Sequence, residues 1–331
     1  MQLEYDIGEG DTGTGFGNDF GFFPYDYTKP PELRTEHFSL QTDIQNEALI
    51  LQERHNGKFA YRDNLHSAVS YQTKQNIPSV KFRPDGELIV GDNSFLIEAD
   101  MSTERGLQLK DKFVGYKKYL DYLTSQKKSL PKGVIFVFTN RNERYNNRLI
   151  YLQGQQRFNS LFTLFREHLK DYEHTFRLIC VELKDFQQRM ELLLPGNKKV
   201  LYDRVTAHLK LDAPKQADIS TTLDEGYPVA LIKQNNEHTF YMLQEIEGYT
   251  NVPWINGFRI YKELLRKYPK LKVISYYSQN HSIPPISQGH INNIDNPELK
   301  NYYKAMNFLN AGGMDSVWFD YQHKVLDAAP F

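Results

Sequence analysis

The sequence predicts an α/β fold in α-β-β-β-α-β order with a mixed sheet. Three observations carry this. The apolar runs Leu88–Val90 and Phe95–Ile97 flank the turn Gly91-Asp92-Asn93 and read as a hairpin. A helical run from Arg105 to Ser129 carries Leu107, Phe113, Leu120 and Leu123 as its apolar side, and Pro131 and Gly133 stop it. Val134–Phe138 then follows as an unbroken apolar stretch, the pattern of a strand buried on both faces. The crossover into it is expected to be right-handed.

The other elements follow in chain order. Residues 1–34 form a Gly- and Phe-rich arm, closed by Pro24, Pro30 and Pro31, and expected to be mobile or partner-bound. Within it Gly8-Glu-Gly-Asp-Thr-Gly13 formally matches a dinucleotide fingerprint, but the strand before it is too short and no amphipathic helix follows. Ile44, Ala48 and Leu51 predict a helix over 36–54, with Glu47 beside the stripe. Leu65, Ala68 and Val69 suggest a second helix over 59–74. Val80–Asp85 reads as a strand ending on an acid. Residues 155–172 read as a helix and Phe176–Leu183 as a strand that buries the single cysteine, Cys180. Helical hints at Phe186–Leu194 and Val200–Leu209 precede a polar loop from Asp212 to Asp224. That loop sets the expected division: a core domain over 35–211 and a second α/β unit over 212–331.

The second unit echoes the first. Phe240–Leu243 sets on Phe95–Glu98, and Phe258–Leu265 on Phe113–Leu120, each at a shift of 145 residues. Val273–Tyr277 mirrors Val134–Phe138 at a shift of 139. The chemistry does not repeat: Leu243 stands for Glu98, Gly257 for Lys112, and no Pro-Asp lies upstream. A chance likeness of two strand-helix-strand blocks is the plain alternative.

Composition excludes some classes. No apolar run approaches the ~18 residues of a membrane span, and one cysteine rules out an internal disulfide framework. With no basic-then-apolar segment at the start, a cytoplasmic protein is expected. The net charge of −1 hides an asymmetry: residues 105–148 hold eleven Lys/Arg against three Asp/Glu, a local +8 that leaves −9 elsewhere. Such a block suits a polyanion, although a solvated helix face is the ordinary explanation of a charge run.

The chemistry concentrates between Phe82 and Tyr116. A hairpin brings paired strand ends together, so Asp85, Glu98 and Asp100 are expected to converge. Clustered carboxylates repel unless a cation lies between them. With no His or Cys nearby in sequence, the fitting ion is hard and oxygen-loving, Mg²⁺ or Mn²⁺. Asp85 and Glu98 would hold it, Asp100 would join it or hold a second ion, and Glu47 is a further acid weighed for the same site. Lys112 is placed to stabilise charge developing on phosphorus. It shares a helical stripe with Arg105 and Tyr116. Arg141 and Arg144 follow the buried strand, at the end of the sheet where open α/β folds take ligands. Arg105, Lys117, Lys118, Arg141 and Arg144 are the expected contacts to a phosphate backbone. Each feature alone has a plainer explanation: Pro84-Asp85-Gly86 as a turn, Glu98 as an edge residue, Lys112 and Tyr116 as helix surface. Their conjunction raises them.

Pro84-Asp85, then Phe95-x-x-Glu98-x-Asp100-x-x-Thr103, then Lys112-x-x-x-Tyr116 resembles the signature of the replication-relaxation family. That family groups with conjugative relaxases of the PD-(D/E)xK superfamily, built on the restriction-endonuclease fold. The resemblance covers about residues 36–185. It implies a restriction-endonuclease-like core and a Mg²⁺- or Mn²⁺-dependent enzyme that nicks DNA in plasmid mobilisation or replication. Other mobilisation or replication proteins would be its partners, and self-assembly stays open. By the resemblance Asp85 and Glu98 are metal ligands, and Lys112 replaces the lysine usually found two residues after the glutamate, where Asp100 stands here. Met101 replaces a common arginine, and the arm takes the place of an N-terminal winged helix. The nucleophile is either water or a tyrosine such as Tyr116. A catalytically inactive DNA-binding or assembly protein on the same fold is the alternative, and a restriction or repair nuclease a third.

Overall fold

A computed structural model describes residues 31–72, 79–101, 107–139, 147–194, 197–224, 227–234, 237–246, 249–250, 252–277, 301–310, 313–320 and 324–331. Residues 1–30 of the arm, Thr103, Arg105, Arg141 and Arg144 lie outside them, and the arm's last four residues, 31–34, belong instead to the first helix. The chain divides into two compact units. The first comprises Met1–Arg141, Glu167–Phe176 and Cys180–Leu192, and the second Asn142–Arg166, Arg177–Ile179 and Leu193–Phe331.

Unit 1 opens on helix α1 (Pro31–Arg54). Its stripe Ile44, Ala48 and Leu51 is wholly buried, and a turn through Asn56 and Gly57, both at positive φ, ends it. Of the stretch 59–74, expected to be helical, residues 59–72 are described, and they hold two strands instead, β1 (Phe59–Asp63) and β2 (Val69–Tyr71). Apolar spacing there mimics a helix, but strand pairing and aromatic burial of Phe59 and Tyr71 prevail. β2 pairs antiparallel with β3 (Val80–Phe82) as a separate ribbon, so β3 is not the first strand of the main sheet.

The main sheet of unit 1 takes β1, β4 (Gly86–Val90), β5 (Asn93–Asp100) and β6 (Gly133–Phe138) in adjacent positions. β1–β4 and β4–β5 are antiparallel, and β5–β6 is parallel through helix α2 (Leu107–Ser125). Gly91, at φ 58°, provides the left-handed residue that the two-residue β4–β5 turn needs. The predicted order α-β-β-β-α-β is therefore present, with β1 in the place expected for Val80–Asp85. β6 is buried throughout. α2 buries Leu109, Phe113, Tyr116, Leu120 and Leu123, whereas Leu107 is 76% exposed at its start.

Helix α3 (Asn147–His168), strand β7 (Arg177–Glu182), with Cys180 buried, and helices α4 (Phe186–Glu191) and α5 (Asn197–Asp212) follow. The expected loop over 212–224 is mostly strand β8 (Asp218–Asp224). Unit 2 continues with β9 (Tyr227–Gln234), β10 (Glu237–Ile246), the short β11 (Tyr249–Thr250), α6 (Val252–Lys267), β12 (Lys272–Tyr277), β13 (Asn301–Asn310), β14 (Gly313–Phe319) and β15 (Val325–Leu326). Its sheet order is β15-β14-β13-β12-β10-β9-β8.

The connectivity of unit 1 recurs in unit 2. After α5, β8–β9 and β9–β10 are antiparallel, and β10 crosses through α6 to a parallel β12. The register refines the sequence match. β5–β6 pairing begins at Phe95 with Gly133, and β10–β12 pairing at Tyr241 with Lys272. Tyr241 thus takes the place of Phe95, one residue beyond the alignment that the apolar pattern suggested. Packing agrees. Met242 lies in the cluster with Ile260, Tyr261 and Leu264 of α6, while Tyr241 and Leu243 lie with Val205 and Leu209 of α5. A one-residue slip in a strand exchanges its faces, so Gln244, not Leu243, occupies the position of Glu98. Among the described residues, no helix is long and apolar enough to cross a membrane.

Candidate functional site

Asp85 is the residue before β4, and Gly86 pairs with Ile97. Continuing that antiparallel register by one residue sets Asp85 opposite Glu98, and the Ala99 backbone N–H donates to Asp85 Oδ2 at 2.9 Å. Gly86 keeps the corner tight: a Cβ there would run into the Tyr61 hydroxyl and come within 3.1 Å of the Arg62 carbonyl oxygen.

Glu98 points to α2. Lys112 Nζ donates to Glu98 Oε2 at 2.8 Å, and the Tyr116 hydroxyl donates to Glu98 Oε1. Lys112 and Tyr116 stand four apart, one helical turn, which turns both toward the same strand residue. Phe82 and Phe113 pack edge-on against the Tyr116 ring, and Tyr116 is only 1% exposed. The Glu98 side chain is 5% exposed, and Lys112 keeps 23% open to solvent.

Two residues that the sequence reading did not single out complete the surroundings of Asp85. Gln41 Nε2 on α1 donates to Asp85 Oδ1 at 2.7 Å. His37 Nε2, one turn earlier, lies 3.4 Å from Asp85 Oδ2. A signal for both was present, because 37, 41, 44, 48 and 51 continue one helical stripe. Glu47, in contrast, accepts a hydrogen bond from Gln187 Nε2. Six positions beyond Gln41, it lies on another face of α1.

The two carboxyls titrate in opposite directions. Burial pushes the Asp85 carboxyl up, but the His37 hydrogen bond and charge, the Lys112 charge and the Ala99 N–H outweigh it and hold it well below the usual carboxylate range. Burial also pushes Glu98 up; the Asp85 charge adds to this, and Lys112 and Tyr116 offset only part, so its pKa lies at about 7. The Asp85 charge acting on Glu98 marks the two acids as neighbours.

Asp100 lies on the same face of β5 as Glu98 and is 6% exposed. Among the described residues no group of three or more His, Cys, Asp or Glu is arranged to hold a metal. The expected trio of Asp85, Glu98 and Asp100, with or without Glu47, is thus not assembled as one cluster. What is brought together is the pair Asp85–Glu98 with Lys112 and Tyr116. Of the expected backbone contacts, Lys117 is engaged by Asp121 at 3.0 Å and Asp171 at 3.5 Å, and Lys118 is exposed. In unit 2, Tyr227 falls at the position of Asp85, and the buried Gln244 donates to Ser275 Oγ at 2.7 Å. Tyr261, aligned with Tyr116, is equally buried but donates to the Leu271 carbonyl at 3.1 Å.

Two carboxylates suffice for Mg²⁺ or Mn²⁺, which take one or two protein carboxylates and fill the remaining positions with water and substrate oxygens. A carboxylate has about four acceptor sites, and the contacts above occupy three on Asp85 and two on Glu98. Burial, with the Asp85 charge adding to it, raises Glu98, and a cation beside the pair would favour its ionised form. By acceptor capacity and charge the pair fits such an ion. The chain matches no known protein family and no curated protein.

Proposed function

We propose that unit 1 is a divalent-metal-dependent DNA endonuclease of the nicking, relaxase-like type. The observation that carries this reading is the juxtaposition of Asp85 with Glu98 at the open end of the β4–β5 hairpin, with the Lys112 ammonium 2.8 Å from the second acid. Its setting supports the restriction-endonuclease-like assignment: three antiparallel strands, a crossover helix and a parallel strand, in the sheet order β1-β4-β5-β6.

In this reading Asp85 and Glu98 hold Mg²⁺ or Mn²⁺. When bound, the ion supplies Lewis-acid stabilisation of a phosphate oxygen. Lys112 places a positive charge where negative charge accumulates on the phosphoryl group. Tyr116 fixes the Glu98 carboxyl through its hydroxyl. Its enclosure at 1% exposure supports a positioning role for that phenol, and water is the nucleophile in this reading. Lys118 on the outer face of α2 contributes to the DNA backbone contact, together with Arg105, Arg141 and Arg144. Unit 2 is a degenerate copy in which an amide replaces the second acid. The biological setting is plasmid mobilisation or replication in the cytoplasm; a restriction or repair role is distinguished by the absence of mobilisation genes beside the coding sequence.

The test is nicking of supercoiled plasmid with Mn²⁺, repeated with Asp85→Asn. Open circles that need the metal and vanish in the variant support the enzyme. DNA binding without nicking supports the second reading, an inactive nuclease-fold DNA-binding or assembly protein. One observation favours that second reading: both Glu98 oxygens already accept hydrogen bonds from Lys112 and Tyr116.

A further inference from the structure

α1 reaches the site through two side chains one turn apart. Gln41, 9% exposed, donates to Asp85 Oδ1 at 2.7 Å, while His37 stands 3.4 Å from Oδ2, the oxygen that also accepts the Ala99 N–H. Each Asp85 oxygen therefore meets a donor from α1, and the β5 backbone supplies a further one. This matters because the terminal torsion of an aspartate is broad and roughly two-fold, so an unsupported carboxylate samples a wide range of rotations. Asp85 also precedes β4 and lacks the fixed setting of a residue inside the sheet. The sheet supplies one N–H, on one oxygen only; the other oxygen is governed by α1.

We propose that His37 and Gln41 are positioning residues for the cation site, fixing the rotation of the Asp85 carboxylate so that its remaining acceptor capacity is presented in one orientation. The inference rests on the reading of Asp85 as a cation ligand and adds the helix that orients it. Neither residue is an acid, and both would act on the cation through Asp85. The class of ligand served is a hard divalent cation. Outer-shell partners of ligating groups typically change metal affinity by about 10- to 100-fold when lost.

The experiment uses the full chain and Mn²⁺ alone. Free Mn²⁺ is followed by electron paramagnetic resonance during titration of wild type, Gln41→Leu, His37→Leu, His37→Gln and Asp85→Asn, with thermal unfolding of each variant measured alongside. The expected result is a rise in Kd of about 10-fold or more for each leucine variant, with His37→Gln, which keeps an N–H donor, within about 3-fold of wild type. If Gln41→Leu does not fold, the partly exposed His37 pair carries the comparison. Wild-type binding lost in Asp85→Asn but unchanged in both leucine variants overturns this inference and leaves the cation site standing. A wild-type chain that binds no Mn²⁺ overturns both.

Discussion

Lys112 Nζ stands 2.8 Å from Glu98 Oε2, an ammonium on a helix held against a strand acid that is almost entirely buried. Removing the ammonium leaves a carboxyl whose burial already favours its neutral form. Lys112→Met is expected to lower plasmid nicking by about 10²–10³-fold, the scale of losing one charge-stabilising donor. Because Glu98 escapes by protonation and Lys112 is partly solvated, the loss of stability is expected to be small beside the loss of activity. Nicking rates and urea unfolding of the same preparation check both.

Glu98 gives a pH signature in metal-free buffer. Its folded pKa of about 7 lies above the ordinary carboxylate value, so the folded state binds the extra proton. Its contribution to stability is complete below the unfolded pKa and declines as pH rises toward 7. Asp85 has the opposite sign: its lowered pKa stabilises above the unfolded value, and that contribution is lost as pH falls. Glu98→Gln is expected to flatten the decline between pH 4.5 and 7, and Asp85→Asn the loss at acid pH. Chemical unfolding from pH 3 to 8 measures both slopes.

Tyr116→Phe separates two roles for the phenol. As a positioning group it donates to Glu98 from within the core. Its loss is expected to cost about 1–3 kcal/mol of stability and to slow nicking without abolishing it. No covalent protein–DNA adduct is expected in wild type or variant. Denaturing gels of reactions on labelled DNA would reveal a tyrosyl adduct, and finding one would restore Tyr116 as the nucleophile.

Gly86→Ala tests the corner that sets Asp85 against Glu98. The added methyl meets the Tyr61 hydroxyl and the Arg62 carbonyl, and overpacking of this kind costs about 1–3 kcal/mol. Nicking is expected to fall with stability, and Tyr61→Phe in the same chain should recover part of both. Equal losses with and without the Tyr61 change would contradict the contact.

Much of this arrangement was legible in the sequence. The hairpin, the crossover helix and the buried strand declare themselves through Gly91, the apolar side of α2 and the unbroken run to Phe138. Asp85, Glu98, Lys112 and Tyr116 were all named from their spacing. The failures have physical causes. Helical spacing of Leu65, Ala68 and Val69 concealed two strands, because partners distant in sequence decide strand pairing. His37 and Gln41 carry no carboxylate, so the acidic pattern does not point to them, although the stripe through Ile44 passes directly through them. In unit 2 the run Phe240–Leu243 is apolar in either register, and only its packing against α6 on one side and α5 on the other moves the equivalent of Glu98 to Gln244.

The neutral copy carries its own expectation. With Gln244 hydrogen-bonded to Ser275 in place of a second acid, unit 2 offers no equivalent cation site. Gln244→Ala should leave Mn²⁺ stoichiometry at about one per chain, and calorimetric titration of the variant measures it.

The most direct test is the anomalous scattering of Mn²⁺ in crystals of the full chain. The account predicts one strong peak within bonding distance of both Asp85 and Glu98, absent in crystals of Asp85→Asn. A peak elsewhere, or none at saturating Mn²⁺, would contradict it.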